Sequence, residues 1–398
     1  MKHIYLDHAA ATPISAKALR VTMDIMNKFS GNPSAIHKPG REAHSVLEAA
    51  RKQIAVEISA RPQEIVFTSG ATESNNLAIV GVVDAARARG VVLPHVIVSA
   101  VEHPAVLEVV RNLEKEKLIL LDILGVDDTG RIDTRELRKN ITSETVLVSI
   151  MYVNNEIGTI EPVAEIAKEI RHARKVHKSI FPYFHTDAAQ ASNYLDLNVL
   201  RLGVDLMTIS SSKTYGPRGV GALYVKQGIV IEPLMHGGMH ESGRRPGTES
   251  TALAAGFAEA LHESRAIVQK ESKRVQKLRD TLANKIIKKI PGATINGNLD
   301  FLSPNILNVS IPGIDSEALV LYLDARGIAA SGQSACKSSE DGPSHVIMAI
   351  GKISEKMEGT IRFSLGRSTT SEDIARVVTE LPQIVAFLQV AQKQSDVV

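Results

Sequence analysis

Met207-Thr208-Ile209-Ser210-Ser211-Ser212-Lys213-Thr214-Tyr215-Gly216-Pro217-Arg218-Gly219 passes from an apolar, β-branched run into three serines, a lysine and a Gly/Pro turn. A short apolar run closed by turn residues reads as a strand buried on both faces, as in a parallel sheet. Lys213 then stands just beyond the strand's C-terminal end, the edge at which open α/β sheets bind ligands. Beside it, Ser210 and Ser212 offer hydroxyls that can hold an anion. Most lysines are solvated surface charges, and this stretch alone leaves both readings of Lys213 open.

Outward from that strand, the chain from Ser15 to Ala255 repeats the same pattern. Glu64–Thr68, His95–Ser99, Leu118–Leu121, Val146–Met151, Tyr183–Thr186 and Asp205–Ile209 are strand candidates, with amphipathic helical stretches between most of them. The alternation predicts an α/β protein whose large domain, over 15–258, holds a mostly parallel, doubly wound sheet. Leu253, Phe257, Leu261, Ile267, Val275 and Leu278 give Ser250–Ile290 one apolar stripe, a single long helix that Pro291-Gly292 stops. Beyond it, strands at Asn305–Ser310 and Thr360–Ser364 and helices near Ser316–Arg326 and from Ser371 predict a small α+β domain over 259–398, joined by 1–14.

Two further strand ends carry chemistry. Phe67-Thr68-Ser69-Gly70-Ala71-Thr72-Glu73-Ser74-Asn75-Asn76 ends a strand in hydroxyl residues and glycine and then opens a helix. Free backbone N–H groups there, with the Ser69 and Thr72 hydroxyls, make an anion site, although the same residues are also ordinary helix caps. Tyr183-Phe184-His185-Thr186-Asp187-Ala188-Ala189-Gln190 sets Asp187 at a strand's C-terminal end, where it either faces a ligand or caps the next helix. Together these ends supply a lysine for a Schiff base, an acid for a pyridine nitrogen and donors for a phosphate, the protein side of pyridoxal 5'-phosphate binding. Their joint occurrence on one sheet edge is far harder to obtain by chance than any one alone.

The single cysteine, Cys336, lies among small and polar residues that cannot bury a side chain firmly, with Lys337 beside it to favour the thiolate. From the loop alone it reads equally as a reactive thiol and a leftover one. One cysteine excludes an intramolecular disulfide and a thiolate metal cluster made by this chain alone, in keeping with a reducing compartment. The 398 residues are 44% hydrophobic, ample for a sizeable core, and Lys+Arg 46 against Asp+Glu 44 leaves +2 with no basic block, so nucleic acid finds no footprint. Charge interrupts the N-terminus before a signal-peptide core forms, and no uninterrupted apolar stretch approaches membrane-spanning length. The expectation is a cytoplasmic protein that engages neither membrane nor nucleic acid.

Ten spaced segments run in order through nearly the whole chain: Tyr5–Pro13, Gly31–Ser34, Thr68–Ser74, Val101–His103, Val153–Gly158, His185–Gln190, Tyr215–Gly219, Arg245–Thr248, Ser334–Cys336 and Ile361–Ser364. Through them the chain resembles the cysteine desulfurases of the class V aminotransferase family, fold-type I PLP-dependent transferases. The distance from Cys336 to Pro343-Ser344-His345 resembles the NifS/IscS-like subgroup that feeds iron–sulfur cluster assembly. The resemblance implies that Lys213 holds the cofactor, that Asp187 faces the pyridinium nitrogen, that His103 stacks on the ring, and that Gln190 and Asn155 sit near its hydroxyl. Ala71, Thr72, Ser210 and Ser212 then take phosphate-binding positions, and Thr248 matches a threonine reaching the phosphate from the other subunit of a homodimer. Arg362, with Asn155, would bind the substrate carboxylate. Read without the resemblance, His103 caps the helix that Pro104 begins, and Arg362 makes a structural ion pair.

The implied reaction turns L-cysteine into L-alanine: Lys213 removes the Cα proton, His103 carries protons at the substrate thiol, and the Cys336 thiolate accepts the sulfur as a persulfide. The Cys336 loop on the small domain is expected to move between the cofactor and a sulfur acceptor such as an iron–sulfur scaffold protein, with Cys336 a transient iron–sulfur ligand. Two positions depart from the family pattern. Ser212 stands where most members carry a phosphate-binding histidine, and Lys337 where a threonine or serine is common; Lys337 is expected to favour the thiolate and steer the loop toward an acidic partner. Competing readings are a selenocysteine lyase or class V aminotransferase on the same fold, a thiol hydrolase built on Cys336 and His345, and a non-catalytic sulfur-carrier module.

Overall fold

Apolar residues at successive positions of the central strands face opposite sides of the sheet, so both faces demand cover. A computed structural model, which describes residues 3–332, 344–351 and 358–395, shows how that demand is met. Its strands are β1 Ile4–Tyr5, β2 Ile65–Thr68, β3 His95–Ser99, β4 Leu120–Leu124, β5 Thr145–Ser149, β6 Tyr183–Asp187, β7 Leu206–Ser210, β8 Gly221–Val225, β9 Thr294–Asn296, β10 Ile306–Pro312, β11 Ile328–Ala329 and β12 Glu358–Ser364. Its helices are α1 Ala16–Lys28, α2 Lys38–Ile58, α3 Ala71–Ala88, α4 Pro104–Lys115, α5 Thr134–Asn140, α6 Val163–His177, α7 Val199–Leu202, α8 Thr251–Lys289, α9 Ser316–Ala325, α10 His345–Ala349 and α11 Ser371–Ser395.

The main sheet has the order β2-β8-β7-β6-β5-β3-β4. From β7 to β4 every pairing is parallel, while β8 runs antiparallel to both β7 and β2. Val96, Val98, Leu147, Leu206 and Leu223 face α3 and α4, meeting Leu77, Val82, Val106 and Val110. Ile97, Val148, Phe184 and Met207 face the other way, onto Ile54, Ile166, Ile170 and Phe257. Each such side chain contributes about 1.5–3 kcal/mol by leaving water. The sequence reading holds no strand at β8, because Gly216-Pro217-Arg218-Gly219 reads as the end of an element; here that turn sends the chain straight back along β7. It also sets β4 too early: Leu118 still closes α4, its N–H bonded to Leu113 O beyond Lys117 at φ 58.

A buried ion pair covers the exposed edge of β2. Arg51 Nη1 donates to Ile65 O at 2.8 Å, and Glu241 Oε2 accepts the Phe67 N–H at 2.8 Å, while Arg51 and Glu241 bind each other at 2.6 and 2.7 Å. The pair takes the place of a neighbouring strand and blunts an edge that would otherwise invite pairing with another chain.

A second core gathers Ile4 and Leu6 of the N-terminal segment with Leu307, Val309, Ile361 and Phe363 of the antiparallel sheet β12-β10-β9, and with Ile374, Val377, Leu381 and Ile384 of α11. Helix α8 serves both cores, through Phe257 and Leu261 at one end and Val275, Leu282 and Ile286 at the other. Against α1 it packs so closely that a Cβ on Gly256 would stand 2.0 Å from Thr22 Oγ1. By length and composition Ser371–Ala391 of α11 could cross a membrane, yet it lays an apolar stripe on this second core.

Arg279 of α8 is fully buried and donates to Leu302 O at 2.9 Å, Ser303 O at 2.8 Å and Leu299 O at 3.2 Å. The Leu302 and Ser303 carbonyls belong to buried residues, where water does not readily replace the guanidinium. Arg279→Met should lower stability by about 3 kcal/mol or more, read as a shift of the urea midpoint, because several buried acceptors lose their donor together.

Candidate active site

The C-terminal ends of β5, β6 and β7, the start of α3 and Ala9 and Ala10 of the N-terminal segment border one cavity of about 600 Å³. Ala71, Thr72, His103, Asn155, Asp187, Gln190, Ser212, Lys213 and Arg362 all line it, so the structure brings together nine residues that the sequence singles out. Lys213 sits in the single 3₁₀ turn that follows β7. Its Nζ donates to Ala9 O at 2.8 Å and to Ala10 O, and Gln190 Nε2 reaches the same Ala9 carbonyl at 2.9 Å. The turn itself has no room for a side chain at Gly216, where a Cβ would fall 2.2 Å from Ser211 Oγ.

Asp187 ends β6 and is buried. Oδ1 accepts the Ala189 N–H at 2.9 Å, and Oδ2 accepts from Asn75 Nδ2 at 2.7 Å. No helix follows β6 directly, so the helix-cap reading does not hold: Asp187 closes a turn through Ala189 and lines the cavity. His103, by contrast, both caps a helix and lines the cavity. Its Nδ1 accepts the Ala105 N–H at 3.0 Å as the cap of α4, which places the proton of the neutral ring on Nε2, and its ring lines the cavity. Burial lowers its pKa, with the Lys213 charge acting the same way against the opposing charge of Asp187.

At the other end, α3 starts at Gly70 with no side chain capping its first amides, and Ala71 and Thr72 border the cavity. Open N–H groups of this kind, at the positive end of an 18-residue helix, suit a phosphate. Ser212 faces the same cavity with its Oγ 3.1 Å from Ser210 Oγ; Ser210 is buried behind it and is not part of the lining. A cup of uncapped amides and hydroxyls, a lysine amine and a buried carboxylate together fit pyridoxal phosphate.

Arg362 enters from β12 and is held as a fork: Nη1 donates to Asn155 O at 2.9 Å and Nη2 to Asp7 Oδ1 at 2.8 Å. The ion pair read from the residues alone is thus present, and the guanidinium still lines the cavity. Thr248 is not in this cavity; with Ser69 and Arg245 it lines an adjoining one of about 150 Å³. Cys336, its loop and Lys337 lie outside the described residues.

Several residues of the site escaped the sequence reading. Asn75 lay within the quoted 67–76 stretch, and its place one helical turn beyond Thr72 was the available signal. His345, weighed only for a hydrolase, lines the cavity and donates from Nε2 to Glu102 O at 3.0 Å. Next to Ala9 but outside the cavity lining, His8 is buried with its ring beside Tyr5 and Tyr215, and burial lowers its pKa to about 4. Glu102 is fully buried behind His103 and accepts from Ser99 Oγ at 2.6 Å and Met151 N at 2.8 Å. Burial above all, helped by the charges of Asp187 and Glu161, pushes its carboxyl up to about 8.

Residues 4–377 match the model of the aminotransferase class-V family. A cysteine desulfurase IscS of Dictyoglomus turgidum is 42% identical over 98% of this chain and 96% of its own length. A solved NifS-like protein superposes with a TM-score of 0.89 at 32% identity, covering 97% of this chain and all of that one. A structure described as SspA in complex with cysteine gives 0.77 at 33% identity, over 91% of this chain and 98% of its own. The chain belongs to the class-V aminotransferases, a pyridoxal-phosphate-dependent family, and within them to the cysteine desulfurases.

The proton on Glu102 is stability that can be titrated. An unfolded glutamate loses its proton near its ordinary value of 4.5, the folded one near 8, so the stabilisation is complete below 4.5 and disappears as pH rises through about 8. Between pH 6 and 8 the protein should lose up to about 1.4 kcal/mol per pH unit from this one group. Glu102→Gln should remove this group's share of the slope in urea titrations across the same range, leaving that of Glu161, which burial likewise pushes up to about 8.

Proposed function

We propose that this protein is a pyridoxal-phosphate-dependent cysteine desulfurase that converts L-cysteine to L-alanine and leaves the sulfur as a persulfide on Cys336. The observation that carries this reading is the convergence of Lys213, Asp187, His103, Arg362 and the open start of α3 on one cavity, in a chain that belongs to the cysteine desulfurases. The relative solved with cysteine, alike over 91% of this chain, supports cysteine as the substrate.

Each residue has a task that its surroundings permit. Arg362, its fork oriented by Asp7 and the Asn155 carbonyl, binds the carboxylate of L-cysteine. Ala71, Thr72, Ser210 and Ser212 hold the phosphate, and Asp187 takes the pyridine nitrogen while Asn75 and the Ala189 N–H keep it in place. Asn155 and Gln190 serve the ring hydroxyl. When bound, pyridoxal phosphate withdraws electrons from the substrate's Cα. Lys213 would hold the cofactor through Nζ, and the free amine of that side chain would take the proton from the substrate's Cα. His103, neutral and with its proton on Nε2, moves a proton at the substrate thiol. Cys336 attacks the substrate sulfur, so that cysteine plus one enzyme thiol gives alanine plus one enzyme persulfide, with no outside oxidant or reductant. Lys337 favours the Cys336 thiolate.

The assembly around the site belongs to the same reading. The protein works as a homodimer in which Thr248 of one protomer reaches the phosphate bound by its partner, and in the cytoplasm it passes sulfur to an acceptor such as an iron–sulfur scaffold, with Cys336 a transient iron–sulfur ligand. The large domain, 15–258, holds the cofactor, and the small one, 1–14 and 259–398, brings Arg362 and Cys336.

Incubated with L-cysteine and a reductant, the protein should release alanine and sulfide in equal amounts. Cys336→Ser should keep the visible cofactor band and lose sulfide production by at least about 10²-fold, the weight of a lost nucleophile or acid–base group. Lys213→Ala should lose both. An oxo acid in place of alanine would instead mark an aminotransferase.

A further inference from the structure

The donors open to the phosphate cup are neutral: the amides of Ala71 and Thr72 and the hydroxyls of Thr72 and Ser212, with Ser210 behind Ser212. Yet a carboxylate stands in the same helical turn. Glu73 lines the cavity, and its Oε2 accepts the Ser69 N–H at 2.6 Å. Arg245 closes over it, with Nε 2.7 Å from Oε1 and Nη2 3.3 Å from Oε2. The two side chains are only 22% and 15% exposed, so water screens their charges weakly. Burial works to raise the Glu73 carboxyl, but the hydrogen bonds from Arg245 and Ser69 prevail and hold it below its ordinary value, so Glu73 is an anion near neutral pH. Among the described residues no other cation forms a salt bridge with the first turn of α3.

Placed against this turn, a phosphate dianion would meet the Glu73 charge at close range. Like charges at such separation disfavour binding unless a cation compensates one of them. Ser212 offers this cup a hydroxyl and no positive charge. We propose that Arg245 is the positioning residue for the cofactor phosphate: by neutralising Glu73 it lets the first turn of α3 accept a dianion, and through Glu73 it fixes the Ser69 amide at the rim of the cup. Ser69, Arg245 and Thr248 line one small cavity, so the same ion pair also ties the 245–250 turn to the phosphate loop. The inference rests on the pyridoxal-phosphate reading of the site and adds to it a charge requirement that the phosphate alone imposes.

That requirement separates two ligands. The full-length protein, stripped of cofactor, is titrated with pyridoxal phosphate and with pyridoxal, which has the ring but no phosphate, and binding is followed by absorbance. Arg245→Met should weaken pyridoxal phosphate by about tenfold or more, the weight of a charge-assisted contact, and leave pyridoxal within about twofold. Glu73→Gln removes the charge that Arg245 serves, so it should bind pyridoxal phosphate as well as the parent or better, and the double variant should recover most of the affinity lost in Arg245→Met. Equal weakening by the two single variants, a parallel loss for pyridoxal, or no loss in Arg245→Met would overturn the proposal and leave a structural ion pair. A parent protein that binds neither ligand would overturn the pyridoxal reading itself.

Discussion

The site depends on a carboxylate buried at the end of a central strand. Asp187 ends β6 with two donors, the Ala189 amide and the Asn75 side chain. Burying an unpaired charge costs several kcal/mol, so neither donor is optional. Asn75 comes from α3, the helix whose first amides open onto the other end of the cavity. One hydrogen bond thus ties the acid at the end of β6 to the helix whose open start borders the other end of the cavity. Lys213, in the turn just beyond the neighbouring strand β7, is brought to the same sheet edge as Asp187 because β6 and β7 pair in parallel, Asp187 opposite Thr208.

The second core contributes what the sheet cannot. Ile4 and Leu6 pack there, which carries Asp7, Ala9 and Ala10 over the cavity to meet Arg362 and Lys213. Arg362 and Asp7 lie 355 positions apart, yet β12 and the start of the chain meet at the Asp7–Ser364 bridge. Helix α8 joins both cores without interruption, so the cavity wall and the arginine are fixed relative to each other by a rigid element. Preorganised donors of this kind cost no rearrangement when a substrate binds.

How much of this was legible follows from what each residue's neighbours in sequence reveal. Lys213, Asp187 and Thr72 announce themselves because each follows an apolar run and precedes a turn or helix start, a local pattern. The long helix α8 was equally plain, its stripe running without a break. Strand β8 was not, since the Gly/Pro turn before it looks the same whether the chain leaves the sheet or returns to it. Glu73, Arg245, Glu102 and His345 were not legible as a set, because their meaning lies in partners distant in the chain: Arg245 is 172 positions from Glu73, and His345 reaches the carbonyl of Glu102 across 243. His103 and Arg362 show a third case. Their structural readings, a cap and an ion pair, are present in the fold, and these same contacts orient them toward the cavity.

The central claim is that Lys213 carries the cofactor in this cavity. Reducing the purified, yellow protein with borohydride and mapping the modified peptide by mass spectrometry tests it most directly. The account predicts a single phosphopyridoxyl group, on Lys213; a group on another lysine, or none in protein that is fully folded, would contradict it.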